Sequence, residues 1–234
     1  MSVAAAGSFN FTNTTISNNT ASPGVVAQTA AGGGVYTAGG TATFTNSTIS
    51  NNTSSVLVAG SNSGSIGGGI SALQGNTTLV NSVVSGNNST VTTGGTGFGS
   101  GGGLYLQQAV FNITDSSITN NTASDQQGGA MRILAQVAPA TTNITRSTIS
   151  GNTAAGANAA FGGGVGGGIM VIASGAIANT VNIDSSTISG NHAWELGAPG
   201  ITTVAGGIYT WSTAAGNVAT VNLANSTVSG NDAD

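Results

Sequence analysis

The side chains able to do acid–base or metal chemistry are few: Asp115, Asp125, Asp184, Glu195, Asp232 and Asp234 as acids, Arg132 and Arg146 as cations, and His192. Hydrolysis of a glycosidic bond needs two carboxyl groups roughly 5–9.5 Å apart. A zinc centre needs three or four ligands drawn from His, Cys and carboxylate. The chain has no Cys and one His, which excludes disulfides and thiolate metal sites. Two Arg and no Lys cannot make the basic footprint that a phosphate backbone requires, so nucleic acid is excluded as a partner.

Whether these groups meet depends on the elements that carry them, and those elements repeat. The motif Ser/Thr-Ile/Val-Ser/Thr-Gly/Asn-Asn recurs around Ile16, Ile49, Val84, Ile118, Ile149, Ile188 and Val228. Three residues after each stands an asparagine: Asn19, Asn52, Asn87, Asn121, Asn152, Asn191 and Asn231. Five residues before each stands another apolar residue: Phe11, Phe44, Leu79, Ile113, Ile144, Ile183 and Leu223. Between copies, Gly-Gly or Gly-Ala precedes Val35, Ile70, Leu104, Met131, Ile169 and Ile208. Each repeat offers three short alternating segments, too short for helices and punctuated by Gly and Asn, which read as strands.

These features predict an all-β chain forming a single domain over residues 1–234, a right-handed parallel β-helix (solenoid) of about seven coils with three short strands each. The central Ile/Val column and the column five residues earlier point inward, because successive strand side chains alternate. Seven rungs at the strand-pairing distance give a core roughly 34 Å long. The asparagines are expected to stack as an amide ladder. The residue just before each (Asn18, Asn51, Gly86, Asn120, Gly151, Gly190, Gly230) suits a left-handed corner.

The register places the reactive groups. Asp115 and Arg146 share the column Asn13, Asn46, Asn81, Asp115, Arg146, Ser185, Asn225, one coil apart, and are expected to form an ion pair within a polar ladder. Asp184 lies one coil beyond Arg146 and is placed to join it. His192 and Asp232 occupy equivalent positions in adjacent coils and read as a hydrogen-bonded surface pair. Asp125 and Glu195 share a corner two coils apart, which is poor support for calcium. No catalytic residue, metal or other cofactor is assigned, and the chain is not expected to be an enzyme. Tyr36, Tyr105 and Tyr209 follow inward residues and should face out, with Trp194 and Trp211, as a surface suited to stacking on sugars. Asn-X-Ser/Thr triplets, as at Asn46, Asn76, Asn112 and Asn143, arise from the repeat itself.

Composition agrees with a packed but uncharged object. Of 234 residues, 39 are Gly, 38% are hydrophobic and 3% are charged, with net charge −4, against roughly 25% charge and 7% Gly in ordinary domains. No apolar run is long enough to span a membrane, and Met1 to Gly7 lacks a secretion-signal pattern.

The stretches Gly-Gly-Gly-Ile-Met (166–170) and Asn-Ser-Thr-Ile-Ser-Asn-Asn-Thr (46–53) resemble repeats of bacterial surface and adhesin proteins of the pectin-lyase-like, polymorphic outer-membrane-protein kind. The resemblance covers nearly the whole chain and implies a right-handed parallel β-helix. It discriminates function poorly, since that group includes polysaccharide lyases and hydrolases as well as adhesins. The expectation is an extracellular or cell-surface structural protein whose subunits stack head to tail into a filament or fibre. Its partner is then itself, with a cell-surface or matrix polysaccharide as a second candidate. A segment of a larger adhesin is the alternative. Ice binding, through the outward Thr48/Ser50 columns, and a polysaccharide lyase or hydrolase rank lower.

Overall fold

The computed structural model describes residues 2–3, 7–23, 29–56, 64–91, 98–108, 110–124, 126–156, 163–175, 177–195 and 203–234. Among these there is no helix; strands of two to seven residues wind into a parallel β-solenoid. Four sheets are each seven strands deep and a fifth is four strands deep, with every pairing parallel and in register.

One coil shows the plan. Ile70–Leu73 follows the glycines, Asn76–Val80 carries Leu79, and Val83–Ser85 carries Val84. Asn88–Val91 then follows the ladder asparagine, and Phe98–Ser100 leads back to the next glycines. A coil therefore has up to five strands where three were expected. The two unforeseen strands lack alternating large apolar residues because they pack closely on one another, leaving room for Ala, Ser and Gly. Ser65 Oγ donates to the Ser54 carbonyl, and Ser89 Oγ donates to the Ser65 carbonyl, inside that seam.

The core runs from coil to coil as one cluster. Ile49, Val84, Ile118, Ile149 and Ile188 are completely buried in one column, and Phe44, Leu79, Ile113, Ile144 and Ile183 in the other. Fully burying such side chains stabilises a fold by about 1.5–3 kcal/mol each. Phe11 and Ile16, in the first rung, are partly buried, with Phe11 stacked on Phe44 at 4.7 Å between ring centres. Leu223 and Val228, expected in the core, are instead 49% and 47% exposed, because no rung covers them. With each end rung open on one side, the enclosed solenoid amounts to about five turns rather than seven.

Two left-handed corners bracket the Ile/Val strand. Asn18, Asn51 and Asn120 have φ of 58°, 54° and 54°, as the Asn/Gly alternation at that position predicts. The second corner was not foreseen: the column from Asn13 through Asp115 and Arg146 to Asn225 is left-handed throughout, with φ between 47° and 52°. The glycine pair answers a different need. Gly69 lies under the Asn87 amide, where a Cβ would come within 3.0 Å of Cγ. At Gly68 a Cβ would fall on the Gly102 carbonyl oxygen and the Asn88 backbone.

Gly68→Ala should therefore destabilise by about 1–3 kcal/mol through overpacking. Gly69→Ala should cost less, since Ala130 already fills the equivalent place in another coil. Urea-unfolding midpoints of the two variants measure the difference.

Candidate functional site

Among the described residues the most developed polar arrangement is the asparagine column. Asn52, Asn121, Asn152 and Asn191 are fully buried and Asn87 nearly so. A primary amide has two N–H donors and an oxygen with two lone pairs, and here all four are used. Asn87 Nδ2 donates to Asn121 Oδ1 at 2.9 Å, and its second hydrogen goes back to the Ile49 carbonyl at 2.9 Å. Its own Oδ1 accepts from the Asn52 backbone N–H at 2.9 Å and from Asn52 Nδ2 at 3.0 Å. The same contacts run between coils from Asn19 to Asn231. Buried amides need such pairing, because an unsatisfied buried polar group costs about 1–3 kcal/mol.

A second column was missed. Ser47, Ser82, Ser116, Ser147, Ser186 and Ser226 each accept a backbone N–H from the preceding coil, as in Ser82 N–H to Ser116 Oγ at 3.1 Å. Each serine hydroxyl in turn donates to a carbonyl two residues earlier, at 2.9 Å from Ser82 to Val80. The signal was present as serine two places before the Ile/Val position in six of the seven repeats, with Thr14 in the first. A third ladder lies outside: Asn222, Asn182 and Asn143 each donate Nδ2–H to the preceding member, ending on Asn112, at 2.9 Å.

Asp115 and Arg146 form a bidentate pair, Nε to Oδ1 at 2.7 Å and Nη2 to Oδ2 at 2.8 Å. The Arg146 hydrogen bond holds the Asp115 carboxyl below its ordinary pKa, and Asp115 raises that of Arg146. A lowered folded-state value stabilises the fold above the unfolded value, and that contribution is lost as pH falls through the lowered one. Both groups are about half exposed, so the pair adds little. Asp184 does not close on Arg146; its Oδ1 accepts from Asn225 Nδ2 at 3.0 Å.

His192 is brought to two carboxylates, not one. Nδ1 faces Asp232 at 2.9 Å and Nε2 faces Asp234 at 3.1 Å. Asp234 joins because alternate strand residues share a side, which was readable from its spacing to Asp232. These three groups lie within 4.8 Å of one another. Both ring nitrogens are already engaged by the carboxylates, so a cation would have to displace those contacts. Asp125 and the Glu195 side chain lie outside the described residues.

The outer face of the glycine-led strands carries the column Tyr36, Ser71, Tyr105, Arg132, Met170, Tyr209. Here Tyr105, Leu134, Met170 and Ile172 are buried in a second apolar cluster, outside the coil. Beside it is a cavity of about 1000 Å³ lined by Tyr36, Leu73, Tyr105, Gln107, Arg132 and Gln136, among others. The Arg132 guanidinium lies 5.4 Å over the Tyr105 ring and donates to Ser100 Oγ at 3.3 Å. Burial lowers the Arg132 pKa, partly offset by Tyr105. Trp194 and Trp211 are 37% and 45% exposed. Trp211 is on the same strand as Tyr209, whereas Trp194 is in the sheet after the ladder asparagines.

No protein-family model, curated protein or solved structure matches the chain. The geometry alone identifies a parallel β-solenoid with asparagine ladders.

Asn121→Ala should strip donors or acceptors from Asn87, Val84 and Asn152 at once, lowering unfolding stability by about 3 kcal/mol or more, at about 1–3 kcal/mol per orphaned group. Asn231→Ala, in the last rung, should cost distinctly less. Denaturant titration of both variants gives the comparison.

Proposed function

We propose that this chain is an extracellular structural protein whose copies stack end to end into a β-solenoid filament. One observation carries the reading. The two aliphatic columns that are fully buried through the middle coils end in Leu223 and Val228, half exposed on an open rung. An open rung presents a slice of core and a row of unpaired strand edges, which is a template for adding further strands. The added rung would be another copy's first rung, whose Phe11 and Ile16 are likewise only partly buried. Contacts between different faces of identical subunits propagate into open filaments. Surface wetting by Ser, Thr and Asn instead of ions, with 3% charged residues, leaves little charge repulsion to oppose stacking.

A second reading rests on the outer groove. The repeats resemble those of bacterial surface adhesins, and an adhesive segment would use the aromatic face to hold a surface or matrix polysaccharide. Half-buried Tyr36 offers its ring to the groove, the buried Tyr105 two rungs on, roughly 10 Å away, forms part of its wall, and Gln107, Gln136 and Arg132 stand beside them as hydrogen-bond donors. Catalysis is assigned to neither reading: Asp115 is held by Arg146, and Asp232 and Asp234 are spanned by His192. Ice binding ranks behind both, because the outward Thr48 column is broken by Val83 and Ser117.

Electron microscopy of the purified protein should show unbranched fibres one solenoid wide, and Val228→Asp should leave short particles by placing a charge in the junction. Uniform monomers of the unaltered chain would remove the filament reading. For the groove, polysaccharide titrations should shift the Tyr36 and Gln107 resonances, and Tyr36→Ala should weaken that binding at least tenfold. Unchanged affinity in Tyr36→Ala would remove the adhesive reading.

A further inference from the structure

The two ends of the solenoid carry complementary hydrogen-bonding groups, and they select one way of stacking. In the buried asparagine ladder each coil donates forward, backbone N–H and Nδ2–H together, to the next Oδ1. Among the described residues, Asn231 therefore keeps its backbone N–H and one Nδ2 hydrogen without an acceptor. Asn19, at the opposite end, has an Oδ1 that accepts no hydrogen bond from the described residues. The serine column has the same polarity: Ser186 N–H reaches Ser226 Oγ, and Ser226 N–H has no acceptor among the described residues. The first-rung equivalent, Thr14, holds a hydroxyl bonded to Thr12 as the serines are bonded to theirs, and its oxygen accepts nothing from the described residues.

The outer asparagines run the other way. Asn222 Nδ2 donates back to Asn182 Oδ1, and among the described residues Asn222 Oδ1 accepts nothing. The first-rung residue in that column is Asn10, whose neighbour in its own chain is Thr43, so it has no ladder to join there. Likewise Asn225 Nδ2 donates back to Asp184 and leaves its oxygen for Asn13. The C-terminal rung thus offers donors at Asn231 and Ser226 and acceptors at Asn222 and Asn225. The N-terminal rung offers the reverse at Asn19, Thr14, Asn10 and Asn13.

We infer that a second copy of this chain docks its first rung on the last rung of the first, in the single register that sets Asn10 on Asn222, Thr14 on Ser226 and Asn19 on Asn231. This rests on the end-to-end reading above and adds the partner surface and its alignment. The same alignment sets Phe11 on Leu223 and Ile16 on Val228, so the apolar and polar columns agree without any insertion between them. A one-residue slip would turn the aliphatic side chains to solvent. The realistic competitor is a two-residue slip, which keeps faces but separates every ladder partner.

The cysteine-free chain permits a direct test. Asn10→Cys and Asn222→Cys, made in separate chains, are mixed and mildly oxidised. Paired residues on neighbouring strands lie about 4.8 Å apart, inside the Cα separation of about 4.4–6.8 Å that a disulfide accepts. Asn10→Cys mixed with Thr220→Cys reports the two-residue slip. The unaltered chain is imaged in parallel, and circular dichroism checks that each variant keeps its β spectrum. Linked dimers forming at least tenfold faster from the 10/222 pair than from the 10/220 pair are expected. Fibres together with equal or faster linking of the 10/220 pair would overturn this register while leaving stacking intact. Absence of fibres and of both cross-links would overturn the stacking reading and the register with it.

Discussion

The structure depends on keeping a column of amides satisfied where water does not reach. Each interior ladder asparagine, such as Asn87, makes four side-chain hydrogen bonds, and most of them go to a different coil. That requirement ties one rung to the next at a fixed height and rotation. A slip would leave several buried donors and acceptors unpaired at once, each at a cost comparable to a sizeable part of a protein's net stability. The aliphatic columns supply the larger favourable term, but they are tolerant of sliding; the amides are not. Glycines beneath the ladder follow from the same constraint, since the Asn87 amide occupies the space that a side chain at Gly69 would need.

This arrangement explains how a chain with so few charges holds a single structure. Specificity that a globular domain often draws from ion pairs is here supplied by three stacked polar columns, two inside and one outside. Hydrogen bonds within one column all point the same way, forward in the two inner columns and backward in the outer one, so each end face carries its own pattern of donors and acceptors independent of any net charge. The polarity makes the two end faces different in chemistry although both are rungs of the same repeat. A molecule built in this way is suited to extension in one direction.

The fold was legible because the repeat is dense. Ile/Val and Asn recur at a fixed separation of three residues, and the corner type between them is restricted to Asn or Gly. Strand identity failed where side-chain size stopped varying: Ser54, Ser65 and Ser89 line a seam too narrow for large residues, so hydrophobic alternation is lost. The Asp115–Arg146 contact followed from register alone. The serine column was overlooked because a hydroxyl next to a strand looks like surface wetting, whereas Ser82 is 1% exposed. Leu223 and Val228 read as core because their sequence context is that of buried residues; their exposure is a property of the rung's position. The outer cluster around Tyr105, Leu134 and Met170 could not be read locally, since it is assembled from residues in different coils.

The central claim is that the interior amides are locked between coils, and side-chain hydrogen exchange measures it most directly. In ¹⁵N-labelled protein the Nδ2 hydrogens of Asn87, Asn121 and Asn152 should exchange as slowly as the backbone amides of the buried strands, and far more slowly than those of exposed Asn10. Exchange of these interior amides at the rate of a free asparagine side chain would contradict the account.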